Sequence, residues 1–172
     1  ALADEAAVVA ALADLQMKIV PEEGGQRIFL NGRDVTAEIR TAEIGKGAST
    51  VAAYRQVRAR MVELQQEMAR EHSVIMDGRD IGTHVLPNAD VKVFLTADAH
   101  VRALRRYEEF TAKGINCTLE NVEREVIERD ERDMNRAIAP LKQAEDAVRV
   151  DTSQMNIDEV VNCLRQLILD RI

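Results

Sequence analysis

The run Glu128-Arg129-Asp130-Glu131-Arg132-Asp133-Met134-Asn135-Arg136 carries the side chains best suited to chemistry. Wound as a helix, it sets Arg129, Asp133 and Arg136 on one face, because residues three, four and seven apart are neighbours there. Two guanidinium forks with a carboxylate between them suit a phosphorylated sugar: the arginines grip phosphate in bidentate fashion and the aspartate accepts from hydroxyls. The same run would equally serve as a solvated face stitched by Arg–Asp pairs. A second stretch, Met76-Asp77-Gly78-Arg79-Asp80-Ile81-Gly82, favours the first reading. It follows Ser73-Val74-Ile75-Met76, an apolar run of the buried parallel-strand type, and ligands in open α/β sheets sit beyond the carboxyl ends of such strands. Arg79 and Asp80 then stand at a ligand edge.

The elements that position these residues can be read from the pattern. Residues 1–16 form an Ala-rich helix with Asp4 as its cap. Met17-Lys18-Ile19-Val20 and Arg27-Ile28-Phe29-Leu30 flank Gly24-Gly25 and predict a hairpin, with a further turn at Asn31-Gly32 and a short, partly extended piece over 35–40. One long helix is expected over 49–70, with Val51, Val57, Met61, Leu64 and Met68 as its apolar stripe. Strands are expected at 73–76, 91–95 and 148–152. Helices are expected from Ala99, capped by Asp98 and stopped at Lys113-Gly114, from Thr118 to Ala139-Pro140, and over 157–169 behind Asn156 or Asp158. Strands alternating with helices from residue 73 onward argue a parallel α/β core.

Gly45-Lys46-Gly47-Ala48-Ser49-Thr50 invites assignment as a phosphate loop, and the spacing refuses it. That loop requires G-x-x-x-x-G-K-[ST] between a strand and a helix, so that backbone amides wrap the phosphates. Here the earlier glycine is missing and Gly47, not a hydroxyl residue, follows Lys46. A helix with two tolerated glycines is the expectation.

Bulk properties narrow the classes further. The 172 residues are 46% hydrophobic and 31% charged, as in ordinary globular proteins, and can bury a sizeable core. A net charge of −7 argues against nucleic acid or an anionic membrane as a partner. Cys117 and Cys163 have no CxxC spacing, which makes a reducing cytoplasm the default, and no apolar run approaches spanning length. His72, His84 and His100 have no metal-ligand spacing and are read as ordinary surface or loop residues, so no metal ligands are assigned.

Taken together, Asp77-Gly-Arg-Asp-Ile-Gly-Thr83, Pro87, Val91-Lys-Val-Phe-Leu95, Glu128-Arg-Asp-x-Arg-Asp-x-Asn-Arg136 and Asp151-Thr152 resemble the bacterial-type cytidylate kinases. The resemblance extends upstream through Gly32-Arg-Asp-Val35, Ile39-Arg-Thr41 and the segment from Ser49 to Arg58. It implies a P-loop-kinase-like parallel sheet with helices on both faces, a small β-containing monophosphate-binding insert over 17–70, a core over 71–172 and a helical lid around 105–134. It further implies that Ser49, Arg58 and Asp80 meet cytosine, Arg129 and Asp133 the ribose, and Arg79 and Arg136 the monophosphate. Arg40 joins the substrate-binding set, Arg79, Arg129 and Arg136 serve catalysis, and Arg105 and Arg106 lie on the lid over ATP. The implied reaction passes the γ-phosphoryl group of ATP, with Mg²⁺, to CMP or dCMP; a monomer is expected.

The family opens with a phosphate loop, and none occurs in these 172 residues. The expectation is a chain without that segment and without the first strand of the core, inactive in phosphoryl transfer; the alternative is a CMP-binding module that has lost catalysis, or an inert fragment.

Overall fold

A computed structural model describes residues 2–171, except for the side chains of Ala42, Lys46 and Ser49. The chain divides into two compact units, Ala1–Val74 and Ile75–Ile172.

The N-terminal unit is built on a three-stranded antiparallel sheet in the order β1 (Met17–Glu22), β2 (Gly25–Leu30) and β3 (Arg33–Asp34). The first hairpin closes through Glu23-Gly24, one residue before the expected Gly24-Gly25 turn, because Gly24 takes the positive φ of 82° while Gly25 already pairs with Glu22 in the ladder that runs to Met17 opposite Leu30. Asn31 and Gly32 both take positive φ, 49° and 79°, which is the geometry a two-residue hairpin turn requires. Behind β3, Asp34 is the organising side chain. Its Oδ1 accepts from the Thr36 amide at 2.9 Å and the Thr36 hydroxyl at 2.6 Å, and Arg27 Nε donates to Oδ2 at 2.9 Å. Thr36 Oγ1 in turn accepts from the Ile28 amide at 2.8 Å, tying the turn back to β2.

Three helices complete this unit. The helix expected over 1–16 is shorter: α1 spans Glu5–Ala10, with the Asp4 side chain accepting from the Ala7 amide at 3.1 Å. The stretch 35–40 is not extended but ends in the 3-10 turn Glu38–Arg40. Thr41 caps α2 (Ala42–Val51), so the Gly45-Lys46-Gly47 run is helical and no phosphate loop. The single helix expected over 49–70 is two. It breaks after Val51 and resumes as α3 (Arg55–Glu71), with Tyr54 in extended backbone as the new N-cap. The Tyr54 hydroxyl donates to the Leu2 carbonyl at 2.9 Å, a long-range contact that periodicity cannot reveal. Val57 and Leu64 are the buried members of the expected stripe.

The C-terminal unit contains a parallel pair, β4 (Val93–Thr96) and β5 (Val148–Asp151), in register from Val93 with Val148 to Thr96 with Asp151. Parallel strands need a long crossover, and α4 (Ala99–Ala112) and α5 (Leu119–Asn135) provide it. Asp98 Oδ1 caps α4 through the His100 amide at 2.9 Å, and Gly114 at φ 70° lets the chain leave α4 as the Ile115 amide bonds the Phe110 carbonyl at 2.9 Å. Thr118 caps α5. Ala103, Val122 and Val126 are buried between the two helices, with Tyr107, Phe110, Cys117 and Leu119 packed around them. A capping box of Asn156 and Glu159 starts α6 (Ile157–Leu169).

The strand expected at 73–76 does not form. Residues 73–77 carry no regular structure, and Ile75 is 93% exposed. An apolar run becomes a strand only where a ladder partner and a covering layer exist, and among the described residues β4 pairs with β5 alone in this unit. Lys92 is 8% exposed, and its Nζ donates to both carboxylate oxygens of Asp146, at 2.9 and 2.7 Å, and to the Pro87 carbonyl. This clasp holds the turn before β4 against the loop before β5. The architecture is thus mixed α/β, with helices around a small parallel sheet, in keeping with a P-loop-kinase-like fold.

The Thr36 and Arg27 contacts hold the Asp34 carboxyl at a pKa of about 2, below its ordinary 3.8, with the Thr36 hydroxyl as the largest cause. A lowered carboxylate pKa contributes stability above pH 3.8 that is lost as the pH falls toward about 2. Asp34→Asn should therefore lower stability at neutral pH and flatten the acid loss within that window. Thermal melts of variant and parent across the window check this.

Candidate functional site

Four of the expected site residues in the C-terminal unit are joined in two ion pairs. Arg79 Nε donates to Asp133 Oδ2 at 2.8 Å, across 54 residues of sequence. Arg136 Nη2 lies 3.2 Å from Asp80 Oδ1. Arg129 Nε approaches Asp133 Oδ2 at 3.9 Å, one helical turn away. Asp80 and Asp133 are the shielded members, with side chains 11% and 21% exposed, whereas Arg79 and Arg129 are 43% and 53% exposed.

Local structure explains these placements. Arg129 and Asp133 share a face of α5, as the spacing requires. Arg136 does not: α5 ends at Asn135, and Arg136 is its C-cap in extended backbone, φ −63° and ψ 141°. The expected three-residue helical face is therefore a two-residue face plus a side chain from the departing chain. Arg136 Nε donates to the Ala139 carbonyl, and Ala139 itself takes a positive φ of 47°. The Leu141 amide closes this tail onto the Asp133 carbonyl at 2.8 Å. Asp80 precedes the single π turn Ile81–Val85; its carbonyl accepts from the His84 amide at 2.9 Å and the Val85 amide at 3.2 Å. Arg79 and Asp80 thus project from the entrance of a short wide turn, not from the end of a strand.

Beside these pairs lies an open cavity of about 330 Å³ lined by Arg79, Arg102, Arg105, Arg106 and Arg129, with Glu109 and Asp130 as the acids. So many guanidinium groups against two carboxylates make a local positive field within a chain of net charge −7. The arginines differ in what holds them. Arg102 forms a bidentate pair with Asp130, Nη1 to Oδ1 at 2.9 Å and Nη2 to Oδ2 at 2.6 Å, and donates through Nε to the Ala97 carbonyl at 3.0 Å. The Asp130 hydrogen bonds push the Arg102 pKa up, so it stays charged. Arg105 donates to the carbonyls of Thr152 at 2.6 Å and Met155 at 3.0 Å, which fastens α4 to the loop after β5. Arg106 lies over the Phe110 ring at 5.2 Å from its centroid. Arg105 and Arg106, expected on a lid over ATP, both line the cavity, and Arg105 is already bonded to backbone carbonyls.

The sequence pattern assigns no role to Arg102, Asp130 or Glu109. Their signal was present in the spacing: Arg102 stands one turn before Arg105 and Arg106, and Asp130 is next to Arg129. What could not be read was that 28 residues of sequence fold back to join Arg102 to Asp130.

The remaining expected residues belong to the N-terminal unit. Arg40 ends the 3-10 turn and lines an open cavity of about 710 Å³ with Glu22, Glu23, Arg27, Asp34 and Glu38. Arg58 is half-buried on α3. Ser49 is in α2, and its side chain lies outside the described residues. His72, His84 and His100 are exposed. Among the described residues no group of three or more His, Cys, Asp or Glu could hold a metal ion, and no helix is long and apolar enough to cross a membrane.

Parallel strands joined by a helical crossover, with an arginine-lined cavity and interlocked Arg–Asp pairs beside it, define an α/β protein equipped for anionic, phosphorylated ligands. The sequence model of cytidylate kinase matches residues 1–170, so the chain belongs to the cytidylate kinase family. Three curated relatives are each named cytidylate kinase. The one from Ligilactobacillus salivarius is 49% identical over 170 residues, covering 99% of this chain and 76% of the relative. Those from Lactobacillus johnsonii and Lactiplantibacillus plantarum are 47% and 48% identical, covering 96% and 97% of this chain and 72% and 73% of the relatives.

The Arg102–Asp130 pair joins α4 to α5 beneath the cavity. Arg102→Ala should lower the unfolding free energy by about 1 kcal/mol, the upper range for a partly exposed pair of good geometry. Arg102→Lys should recover little, because an ammonium cannot reproduce the two parallel hydrogen bonds. Urea unfolding of the two variants measures both.

Proposed function

We propose that this chain provides the acceptor side of a nucleoside monophosphate kinase that transfers the γ-phosphoryl group of ATP to CMP or dCMP. The observation that carries the reading is the pairing of Arg79 with Asp133 and Arg136 with Asp80 in a chain of this family. Each pair couples a phosphate-binding group to a group that can accept hydrogen bonds from a nucleoside. Arg79 and Arg136 are assigned to the monophosphate, Arg129 and Asp133 to the ribose, and Asp80 to the cytosine amino group. Arg40, Ser49 and Arg58, of the N-terminal unit, are assigned as substrate-binding residues on the family pattern alone.

Chemistry supports the base assignment. Cytosine presents an amino donor where uracil presents a carbonyl, so a shielded carboxylate at Asp80 matches the first and is left opposed by the second. Arg79, Arg129 and Arg136 would also neutralise charge as the phosphoryl group moves, since positioning and electrostatics supply most of the catalysis in this reaction. The cavity lined by Arg105 and Arg106 suits the polyphosphate of the donor, with residues 105–134 as the lid; Arg105, held by Thr152 and Met155, would have to exchange those carbonyls for phosphate oxygens. Mg²⁺ bound to ATP supplies charge neutralisation; among the described residues there is no cluster of three acids or histidines to hold it, and the donor's own phosphates are its natural ligands. Residues 17–70 are proposed as the monophosphate-binding insert and 71–172 as the core, in a monomer of the reducing cytoplasm, where Cys117 and Cys163 stay free thiols.

The 172 residues contain no G-x-x-x-x-G-K-[ST], the loop whose amides and lysine hold the β- and γ-phosphates. Calorimetric titration of this chain should therefore find CMP binding, while a coupled ADP-release assay finds negligible turnover. Turnover of about 1–100 per second would show that other residues hold ATP. Arg129→Ala and Arg136→Ala should weaken CMP, and Arg132→Ala, exposed off the site face, should not.

In a chain that also carries the phosphate loop, Asp80→Asn should lower kcat/KM for CMP about 10-fold or more, since a hydrogen bond to a charged group contributes roughly 1.5–3 kcal/mol. The loss for UMP should be smaller. Equal losses on both substrates would remove Asp80 from base reading.

A further inference from the structure

We propose that Lys92 is a positioning residue for base recognition: acting at one remove from the ligand, it holds the π turn Ile81–Val85 so that the Asp80 carboxylate stands where the cytosine amino group has to meet it. The inference rests on the assignment above of Asp80 to the base. Lys92 is only 8% exposed just before β4, in a place where an aliphatic side chain would meet no desolvation cost. Its backbone is fixed to the sheet, since the Lys92 carbonyl accepts from the Val148 amide at 3.0 Å. From that fixed point the side chain runs back to the turn.

Lys92 grips the turn in two places. Its stem lies against Gly82, the second residue of the turn: a Cβ at Gly82 would stand 3.4 Å from Lys92 Cδ and 3.7 Å from Lys92 Cγ. Its ammonium group donates to the carbonyl of Pro87, just beyond the end of the turn, and to both carboxylate oxygens of Asp146, at 2.9 and 2.7 Å. The Lys92 bond holds the Asp146 carboxyl below the usual carboxylate range, so Asp146 stays charged opposite the amine at neutral pH. Ala144, from the same loop as Asp146, closes on Gly82 from the side, its Cβ 3.9 Å from the same point. On the entrance side, the Ile81 side chain folds over Gly78, 2.9 Å from where a Cβ there would stand. Arg79 and Asp80 lie between these two contacts. Asp80 is itself bonded into the turn: its carbonyl accepts from the His84 and Val85 amides, and the Leu86 amide closes the far end on the Ile81 carbonyl at 2.7 Å. A shift at Gly82 or Pro87 is therefore passed to Asp80 through bonded neighbours. Telling an amino group from a carbonyl depends on hydrogen-bond distance and angle, so a turn displaced by about 1 Å loses base reading while Arg129, carried by α5, keeps its place.

Lys92→Met keeps the stem against Gly82 and removes the ammonium group. CMP affinity is measured calorimetrically on four forms of the 172-residue chain: parent, Lys92→Met, Asp80→Asn and the double variant. Lys92→Met should weaken CMP about 5-fold or more in the parent, within the range of couplings between residues of one network, and about 2-fold or less in the Asp80→Asn background. No loss in a Lys92→Met chain that melts cooperatively, or the same fold loss in both backgrounds, overturns the proposal, because a merely structural lysine weakens binding in either background alike. If Lys92→Met does not melt cooperatively, Asp146→Asn, at a side chain 63% exposed, replaces it in the same cycle and is judged by the same two outcomes. Asp80→Asn leaving CMP affinity unchanged, or a parent that does not bind CMP, overturns the base assignment itself, and the role of Lys92 with it.

Discussion

The parallel pairing of β4 with β5 is the constraint on which the C-terminal unit depends. Two parallel strands cannot be joined by a tight turn, so the chain between Thr96 and Val148 has to leave the sheet and return. It does so through α4 and α5, which bury Ala103, Val122 and Val126 between them. Thr152 fixes the closing end: it is 4% exposed, its amide donates to the Thr96 carbonyl at 2.8 Å and its hydroxyl to the same carbonyl at 3.1 Å. Arg105 then reaches from α4 to the Thr152 carbonyl. One chain of contacts therefore runs from the strand pair to the crossover helices, and α5 carries Arg129 and Asp133 with it.

Charge is distributed against the bulk balance of the protein. The net charge is −7, yet the arginines converge on the cavity between α4 and α5 and on the acids at its edge. Some are held by local structure and cannot easily leave, as Arg102 is by Asp130 and the Ala97 carbonyl. Others are paired with a carboxylate across a long stretch of sequence, as Arg79 is with Asp133. Pairing the arginines with carboxylates lowers the repulsion that a bare cluster of cations would carry.

Much of the local structure was legible in the sequence because its causes are local. Gly24 and Asn31-Gly32 mark the hairpin turns because such residues take positive φ with little strain, and Thr118, Asp98 and Asn156 start helices because their side chains satisfy the first free amides. The i, i+4 spacing alone put Arg129 and Asp133 on one face. Tertiary structure decided the rest. Ser73-Val74-Ile75-Met76 has the composition of a buried strand, but a strand exists only through its partner, and these residues pair with no strand among the described residues. The helix break at 52–54 and the departure of Arg136 from α5 coincide with contacts that periodicity does not encode, the Leu2 carbonyl for Tyr54 and the Asp80 carboxylate and Ala139 carbonyl for Arg136. Residue types and order were enough to identify the family and name the candidate residues. Which guanidinium faces which carboxylate is a matter of contacts spanning tens of residues, and periodicity carries no record of those.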